Sequence, residues 1–343
     1  MRVTLRDVAE RAGVSPMTVS RVINNSPRVQ ADTRRRVEAA IIELEYVPNR
    51  LARGLIRRKT GTLALLVPDL ANPFFTLIVQ AAEDVAWRAG YHVILCDTRA
   101  ELEREREYIE DMVEFQVEGV LVAPVSDRSR SNLRILGRSN TPYVLIDRSI
   151  AGFEADLVQG DSVAGARRLV EHLIELDHRR IAMITEIPEI STARERLRGY
   201  RDALQTAAIE QRPEYVVEAS AVDPRGGYEA ALHLLDLEQP PTAIFAVNNI
   251  VAAGVVEAAR ERGLEIPGDL ALVCFDDIEH VSRLYPFLTV MAQPAETFGS
   301  LAAQLLLDRI AGRVRERRRV VVLPADFIVR RSSGAEQEAA VIG

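Results

Sequence analysis

The chain has 343 residues, 48% of them hydrophobic and 27% charged, which suits a globular protein of two or three domains. No apolar run approaches the ~20 residues of a membrane-spanning helix, and Met1-Arg2-Val3-Thr4-Leu5-Arg6-Asp7 lacks an apolar secretory core, so a cytoplasmic protein without a membrane partner is expected. The charge is lopsided: residues 1–59 hold 13 Lys+Arg against 6 Asp+Glu, or +7, and the remainder 30 against 44, or −14. A basic head on an acidic body points to a polyanion as partner of the head alone. Cys96 and Cys274 lie far apart in sequence and read as core residues, not as a disulfide framework.

Thr4-Leu5-Arg6-Asp7 forms a capping-box pattern with Asp in the acidic slot, and Leu5, Val8, Ala9 and Ala12 follow at helical spacing. Gly13 ends this short helix. Ser15 is a good N-cap, with Pro16 at the first helical position of a second helix to about Asn24. Val19, Val22 and Ile23 face inward on it. Asp32 is placed to cap a third helix, Thr33 to about Leu44, which buries Val37, Ala40, Ile41 and Leu44. Helix, short glycine turn, helix is the pattern that sets its second helix into the DNA major groove. It also occurs in small bundles that bind nothing; the +7 charge favours DNA.

Val3–Ala9, Ala12-Gly13-Val14-Ser15, Thr18–Val22 and Tyr46-Val47-Pro48-Asn49 resemble the headpiece of the lactose-repressor (LacI/GalR) family, and the resemblance runs along nearly the whole chain. It implies that Pro16, Met17 and Arg21 read base edges. Arg21 can grip guanine O6 and N7, whereas Pro16 and Met17 offer only apolar contact, for example to a thymine methyl. Thr18, Ser20 and Asn24 suit phosphates, and Thr4, Ser15, Tyr46, Asn49 and Ala52 complete the implied DNA-binding set. Residues 49–57 correspond to a hinge helix that forms when two chains lie side by side on DNA, with Leu55 wedged into the minor groove. Gly54 departs from the pattern and costs helix propensity of about 1 kcal/mol relative to Ala; the expectation is a hinge disordered off DNA, against the plainer reading of 49–60 as a basic linker.

From Thr62 onward, short apolar runs alternate with amphipathic stretches. Strands are predicted at Leu63–Val67, Val93–Cys96, Val120–Ala123, Tyr143–Ile146, Ile181–Ile184, Tyr215–Val217, Ala243–Val247 and Leu270–Phe275. Helices fall between them at Phe74–Ala89, Glu101–Phe115, Val163–Leu176, Thr192–Ala207, Arg225–Leu235 and Val251–Arg260. This alternation means parallel sheet, and some 270 residues are long for one core, so two α/β lobes are expected. Ligands of such sheets bind at the carboxyl ends of strands. The fold class is thus α/β: a three-helix helix-turn-helix headpiece (1–48), a hinge (49–60) and a core (61–332). The resemblance makes that core periplasmic-binding-protein-like with three crossovers, the N-lobe at 61–159 and 292–322, the C-lobe at 160–291 and 323–332, and a tail, 333–343, expected to be disordered.

The same resemblance implies a small-molecule effector, a sugar or sugar derivative, held by Asn72, Phe74, Phe75, Asp147, Arg148, Thr192, Arg196, Asn248 and Asp276. Arg, Asn and Asp hold adjacent hydroxyls in pairs, and a Phe stacks on a sugar face. Each has a duller reading: Asn72-Pro73 as a helix start, Asp276-Asp277 as a cap, Arg196 as one of a solvated run with Arg194, Arg198 and Arg201. Asn248-Asn249, Cys274, Asp177-His178 and Val222 stand where relatives have Asn-Asp, Gly, Gly-His and an aromatic.

No P-loop or G-x-G-x-x-G is present, and Gly160–Gly165 is one residue too long for the nucleophile turn of hydrolases. The five histidines form no His-Glu-x-x-His. No enzyme, cofactor or metal is expected. The cluster Arg313, Arg315, Arg317, Arg318 and Arg319 reads as a solvated loop before a strand at Val320–Leu323. The tail lacks leucine heptads, so the expected state is a homodimer on a pseudo-palindromic, double-stranded operator. Two alternatives stand beside the repressor: a cytosolic sensor acting through a protein partner, and an architectural DNA protein with a vestigial pocket.

Overall fold

The computed structural model describes residues 3–23, 26–46, 60–219, 223–314 and 318–335, and the chain divides into two compact units, 1–60 and 61–343. In the first, Thr4 and Asp7 close the capping box on α1 (Leu5–Ala12): Thr4 N donates to Asp7 Oδ2 at 2.7 Å and Asp7 N to Thr4 Oγ1 at 3.4 Å. The backbone hydrogen bond from Thr4 holds the Asp7 carboxyl below its ordinary value. Gly13 ends α1 at φ +65°, a conformation a side chain would strain. Ser15 Oγ accepts from Thr18 N at 3.2 Å, capping α2 (Pro16–Ile23). The third helix, α3, runs Ala31–Glu43. Its N-cap is Gln30, without a side-chain cap, so Asp32 is not the cap predicted but lies in the first turn, where its charge favours the helix dipole. Val8, Val19, Val22, Val37 and Ala40 close a small core.

The second unit is built on two six-stranded sheets. In chain order the first carries β1 (Thr62–Val67), β2 (His92–Asp97), β3 (Gly119–Val122), β4 (Tyr143–Ile146), β5 (Asp156–Gly160) and a late strand, β11 (Val320–Leu323). They lie side by side as β2-β1-β3-β4-β5-β11, all parallel. The second carries β6 (Ile181–Thr185), β7 (Val216–Glu218), β8 (Ala243–Ala246), β9 (Ala271–Phe275), β10 (Thr289–Ala292) and β12 (Asp326–Ile328). Its order, β7-β6-β8-β9-β10-β12, repeats the first, except that edge strand β12 is antiparallel. The chain crosses between sheets after Gly160, after Ala292 and after Leu323.

Helices cover both faces, which is why the central strands are apolar throughout rather than alternating. On β1, Leu63, Leu65 and Val67 pack under α4 (Pro73–Arg88) and the long α12 (Ala295–Ile310), whereas Ala64 and Leu66 join Ile109 of α5 (Leu102–Glu114) and Leu133 of α6 (Arg130–Arg138). Gly299 lets α12 lie against α4, since a Cβ there would collide with the Ile78 carbonyl. The second sheet is flanked by α7 (Ser162–Glu175), α8 (Ser191–Thr206), α9 (Pro224–Leu235) and α10 (Asn249–Glu261), and the short α11 (Glu279–Leu284) follows β9.

Two sequence expectations change here. Arg319 is not part of a solvated loop: it is half-buried, and with Arg309 it pairs to the buried Asp156 at 2.8 and 2.7 Å. Arg315 and Arg317 lie outside the described residues. The tail does not begin at 333. Ser332 and Ser333 are buried: Ser332 Oγ donates to the Leu272 carbonyl at 2.6 Å, and Ser333 Oγ lies 2.9 Å from His172 Nε2. These buried hydroxyls need partners and find them in the core. Asp177 stands at φ +64° between α7 and β6, the left-handed conformation that glycine takes at no steric cost.

Candidate functional site: an interlobe cavity and an exposed helix

Each sheet changes direction between its first and third strands, β1/β3 and β6/β8, and ligands of such sheets bind at the carboxyl ends beside that switch. A cavity of about 770 Å³ lies there, lined by Pro68, Asp69, Ala71, Asn72 and Phe75 after β1, Asp97, Arg99 and Ala100 after β2, and Arg148 after β4. The second lobe adds Glu186 and Ile190 after β6, Asn248 and Ile250 after β8, and Asp223 and Pro224 at the start of α9.

Asn72 does two jobs: its Oδ1 accepts from Phe74 N at 3.0 Å, capping α4 ahead of Pro73, and its side chain lines the cavity. Asn248 is the counterpart, its Oδ1 capping α10 through Val251 N at 2.9 Å and its Nδ2 donating to Glu186 Oε1 at 3.0 Å. Asp147 and Asp276 follow β4 and β9, both buried and left-handed, at φ +64° and +65°. Burial pushes the Asp147 carboxyl up to about 6, against the pull of Arg148 and Arg196. Burial likewise raises Asp276, with Arg196 and a 2.8 Å hydrogen bond from Gln293 Nε2 acting against it.

Arg196 is buried, only 4% exposed, while Arg194, Arg198 and Arg201 are exposed, so the reading of a solvated run fails at this one position. Its guanidinium lies over the Phe275 ring at 3.9 Å, donates through Nη1 to the Val247 carbonyl at 2.7 Å, and stands 3.8 Å from Asp276. Arg148 bonds the Pro124 and Val125 carbonyls and stands 3.7 Å from Asp147. Among the buried polar atoms without a hydrogen-bond partner in the described residues are Asp147 Oδ1, Glu186 Oε2, Arg148 Nε, Arg196 Nε and Gln293 Oε1. Such atoms are costly unless something pairs with them, so this set is suited to a polyhydroxylated ligand.

Of the effector residues read from sequence, Asn72, Phe75, Arg148 and Asn248 line the cavity, and Asp147, Arg196 and Asp276 are buried together, with charges that act on one another. Thr192 is buried in the first turn of α8. Phe74 is not at the cavity: its ring points into the first lobe's core, edge-on to Phe75 and Phe298 at 5.2 and 5.6 Å. Glu186 and Gln293 were missed. Asn249 is fully buried with its amide unpartnered, Cys274 is buried beneath the site, and Val222 lies outside the described residues. The lobes touch at the rim, where Arg194 pairs with Asp127 at 2.9 Å and Ser149 N donates to Ser191 Oγ at 3.0 Å.

In the headpiece, Met17, Ser20 and Arg21 share the face of α2 opposite Val19 and Val22; Met17 is 64% exposed and Arg21 is also exposed. Pro16 is exposed and Thr18 half-buried beside it. Thr4 and Ser15, both exposed, spend their hydroxyls on caps. Tyr46, read as a DNA contact, is buried among Val8, Val37 and Ala40, where a large ring closes the small core. Asn24, Asn49, Ala52, Leu55 and the hinge lie outside the described residues.

Residues 4–49 match the lacI family of bacterial regulatory proteins and residues 170–333 a periplasmic binding protein-like domain. The HTH-type transcriptional repressor PurR of Proteus mirabilis strain HI4320 is 35% identical over 331 residues, 96% of this chain and 96% of the relative. The chain belongs to the LacI family of bacterial regulatory proteins. Among solved structures, the lac repressor dimer bound to operator and the anti-inducer ONPF superposes with a TM-score of 0.83 at 29% identity, covering 98% of this chain and all of that one. The complex of the transcriptional regulator CelR with cellobiose gives 0.73 at 33% identity, covering 96% and 100%. This LacI-family chain is therefore a transcriptional repressor, a DNA-binding protein rather than an enzyme. Among the described residues no helix is long and apolar enough to cross a membrane.

Proposed function

We propose that the protein represses transcription as a homodimer on a pseudo-palindromic operator, and that a sugar or sugar derivative in the interlobe cavity sets its operator affinity. The observation that carries this reading is a cavity whose lining includes Arg148 and Glu186, each with a buried, unpartnered polar atom, together with the Phe75 ring and Ile250. The CelR complex holds cellobiose and the lac repressor dimer holds operator and the anti-inducer ONPF, which supports the same use here. Effector favours one angle between the lobes, changing the rim contacts Arg194–Asp127 and Ser149–Ser191, and so the spacing of the two hinges on DNA. A ligand shifts that balance only by its differential affinity for the two states.

The test is a gel shift against the chain's own upstream DNA at several salt concentrations, with and without a panel of sugars that is first screened by thermal shift. Salt-dependent, sequence-specific binding altered by one of them is the expected result; binding that no stabilising sugar alters would refute the effector role. Arg21→Ala should cost about 1–3 kcal/mol at the operator, roughly 10- to 100-fold, and relax one guanine position, with non-specific binding almost unchanged. Equal losses on both DNAs would remove Arg21 as a base reader.

Ligand binding should also depend on pH through Asp147. Its carboxyl is raised from 3.8 to about 6, so the folded protein keeps a proton that the unfolded chain loses. The stability this residue contributes is greatest below 3.8 and is lost as pH rises through 6. A ligand donor paired to the ionised carboxylate, among Arg148, Arg196, Asp276 and Glu186, pulls the value back down. Affinity should therefore rise between pH 5 and 7, with proton release measurable by calorimetry in buffers of different ionisation heat. Asp147→Asn should abolish that release; a pH-independent affinity in the parent protein would contradict it.

A further inference from the structure

The buried charges at the cavity do not balance. Asp147, Glu186 and Asp276 bring three carboxylates; Arg148 and Arg196 bring two guanidinium groups. Asp147 belongs to the first lobe and the other two acids to the second, and the charges of Glu186 and Asp276 both act on Asp147. Two of the three acids have an oxygen that nothing among the described residues satisfies: Asp147 Oδ1, in a residue 6% exposed, and Glu186 Oε2, in a residue 7% exposed. Glu186 is anchored by its other oxygen to Asn248 and lines the cavity, so its unpaired oxygen lies buried in the wall of that space. Both arginines are already engaged, by carbonyls, by an aromatic ring and by Asp147 and Asp276. A buried carboxylate without a cation is costly, and one more positive charge would even the count.

We propose that the effector carries an ammonium group, as an amino sugar does, and that this group is bound by Asp147 Oδ1 of one lobe and Glu186 Oε2 of the other. This rests on the cavity being the effector site, and it names the class of effector and Glu186 as its specificity-determining residue. An ammonium bridging the two acids pairs both unpartnered oxygens through charge-assisted hydrogen bonds and links the lobes directly. The unpaired Nε–H group of Arg196 remains for a ring hydroxyl. A sugar phosphate or sugar acid would add negative charge to a site already in excess. A bare metal ion fits less well, since no group of three or more His, Cys, Asp or Glu among the described residues is arranged to hold one.

The test uses the full chain at pH 7, by thermal shift and calorimetry, with glucosamine, galactosamine and mannosamine, each beside its hydroxyl parent, N-acetyl form and 6-phosphate. The expected result is an amino sugar that binds at least about tenfold more tightly than its parent. Glu186→Gln and Asp147→Asn, folded as judged by circular dichroism and cooperative thermal unfolding, should each erase that preference. A parent or phosphate that binds as well as the amine, or a panel in which no amine stabilises the protein, overturns the proposal. The two readings fail separately. An amino sugar bound in this way without effect on DNA supports the ammonium site and refutes the effector role. A neutral sugar that alters operator binding while no amine binds does the reverse.

Discussion

Asp276→Asn is expected to lower effector affinity by roughly 10- to 100-fold, which corresponds to losing a hydrogen bond to a charged acceptor worth about 1.5–3 kcal/mol. The substitution isolates charge from shape. Asn tolerates the left-handed backbone that Asp276 adopts at φ +65°, and its amide oxygen can keep the 2.8 Å hydrogen bond from Gln293. What disappears is one of three buried carboxylates facing two guanidinium groups. Burial already raises the Asp276 carboxyl, so its ionised form is held at a cost. Thermal stability without ligand should accordingly stay near that of the parent. Operator binding should be unchanged, because the exposed face of α2 belongs to the other unit of the chain. An effector titration of operator affinity reads the difference, and a normal response from this variant would move the effector site out of the cavity.

The same residues show how far the sequence could be read. Most strands buried on both faces were legible, because runs such as Leu63–Val67 and Ala243–Ala246 have no polar side to disguise them, although the short β10 was not predicted. β5 escaped because it opens on Asp156, whose charge only makes sense beside Arg309 and Arg319, more than 150 residues away. β12 is a three-residue edge strand, and α6 is short and broken in pattern by Gly137. At the cavity, Asp147 and Asp276 directly follow buried strands, and Asn248 follows β8 by one further residue, Val247. Glu186 obeys the same rule after Thr185 but sits in Glu186-Ile187-Pro188-Glu189, where one glutamate looks like the other. The first polar residue after each buried strand was the signal available, and applied uniformly it selects Glu186 over the exposed Glu189. Phe74 and Tyr46 lie in the cores instead. Each neighbours functional positions in sequence, but a large ring next to a site is as useful to the core, and in both cases the core holds it.

Asp156→Ala should be strongly destabilising, although the residue lies outside the cavity. Asp156 is 2% exposed and takes both guanidinium groups, with Arg309 at 2.7 Å and Arg319 at 2.8 Å, and its Oδ1 accepts from Arg319 N at 2.8 Å. Burial alone would raise its carboxyl, but the hydrogen bonds from Arg309 and Arg319 outweigh that and hold it below 3.8. Breaking a buried pair by removing one partner strands the other charges, a loss of about 3–5 kcal/mol. The two arginines keep partial access to water, which places the loss near 3 kcal/mol. At roughly 2–4 °C per kcal/mol for a core of this size, the melting temperature should fall by roughly 6–12 °C. Because the folded value is depressed, the contribution is present above pH 3.8 and is lost as pH falls through the lower folded value. The gap between parent and variant should therefore hold from pH 5 to 8 and close in stronger acid. Asp156 ties α12 and β11 to β5, and α12 and β11 flank two of the three crossovers, yet it is not part of the cavity lining, and α2 belongs to the other unit. Effector and operator affinities measured well below the melting temperature should survive. A melting temperature within 2 °C of the parent would show that the cluster is solvated in solution and holds nothing together.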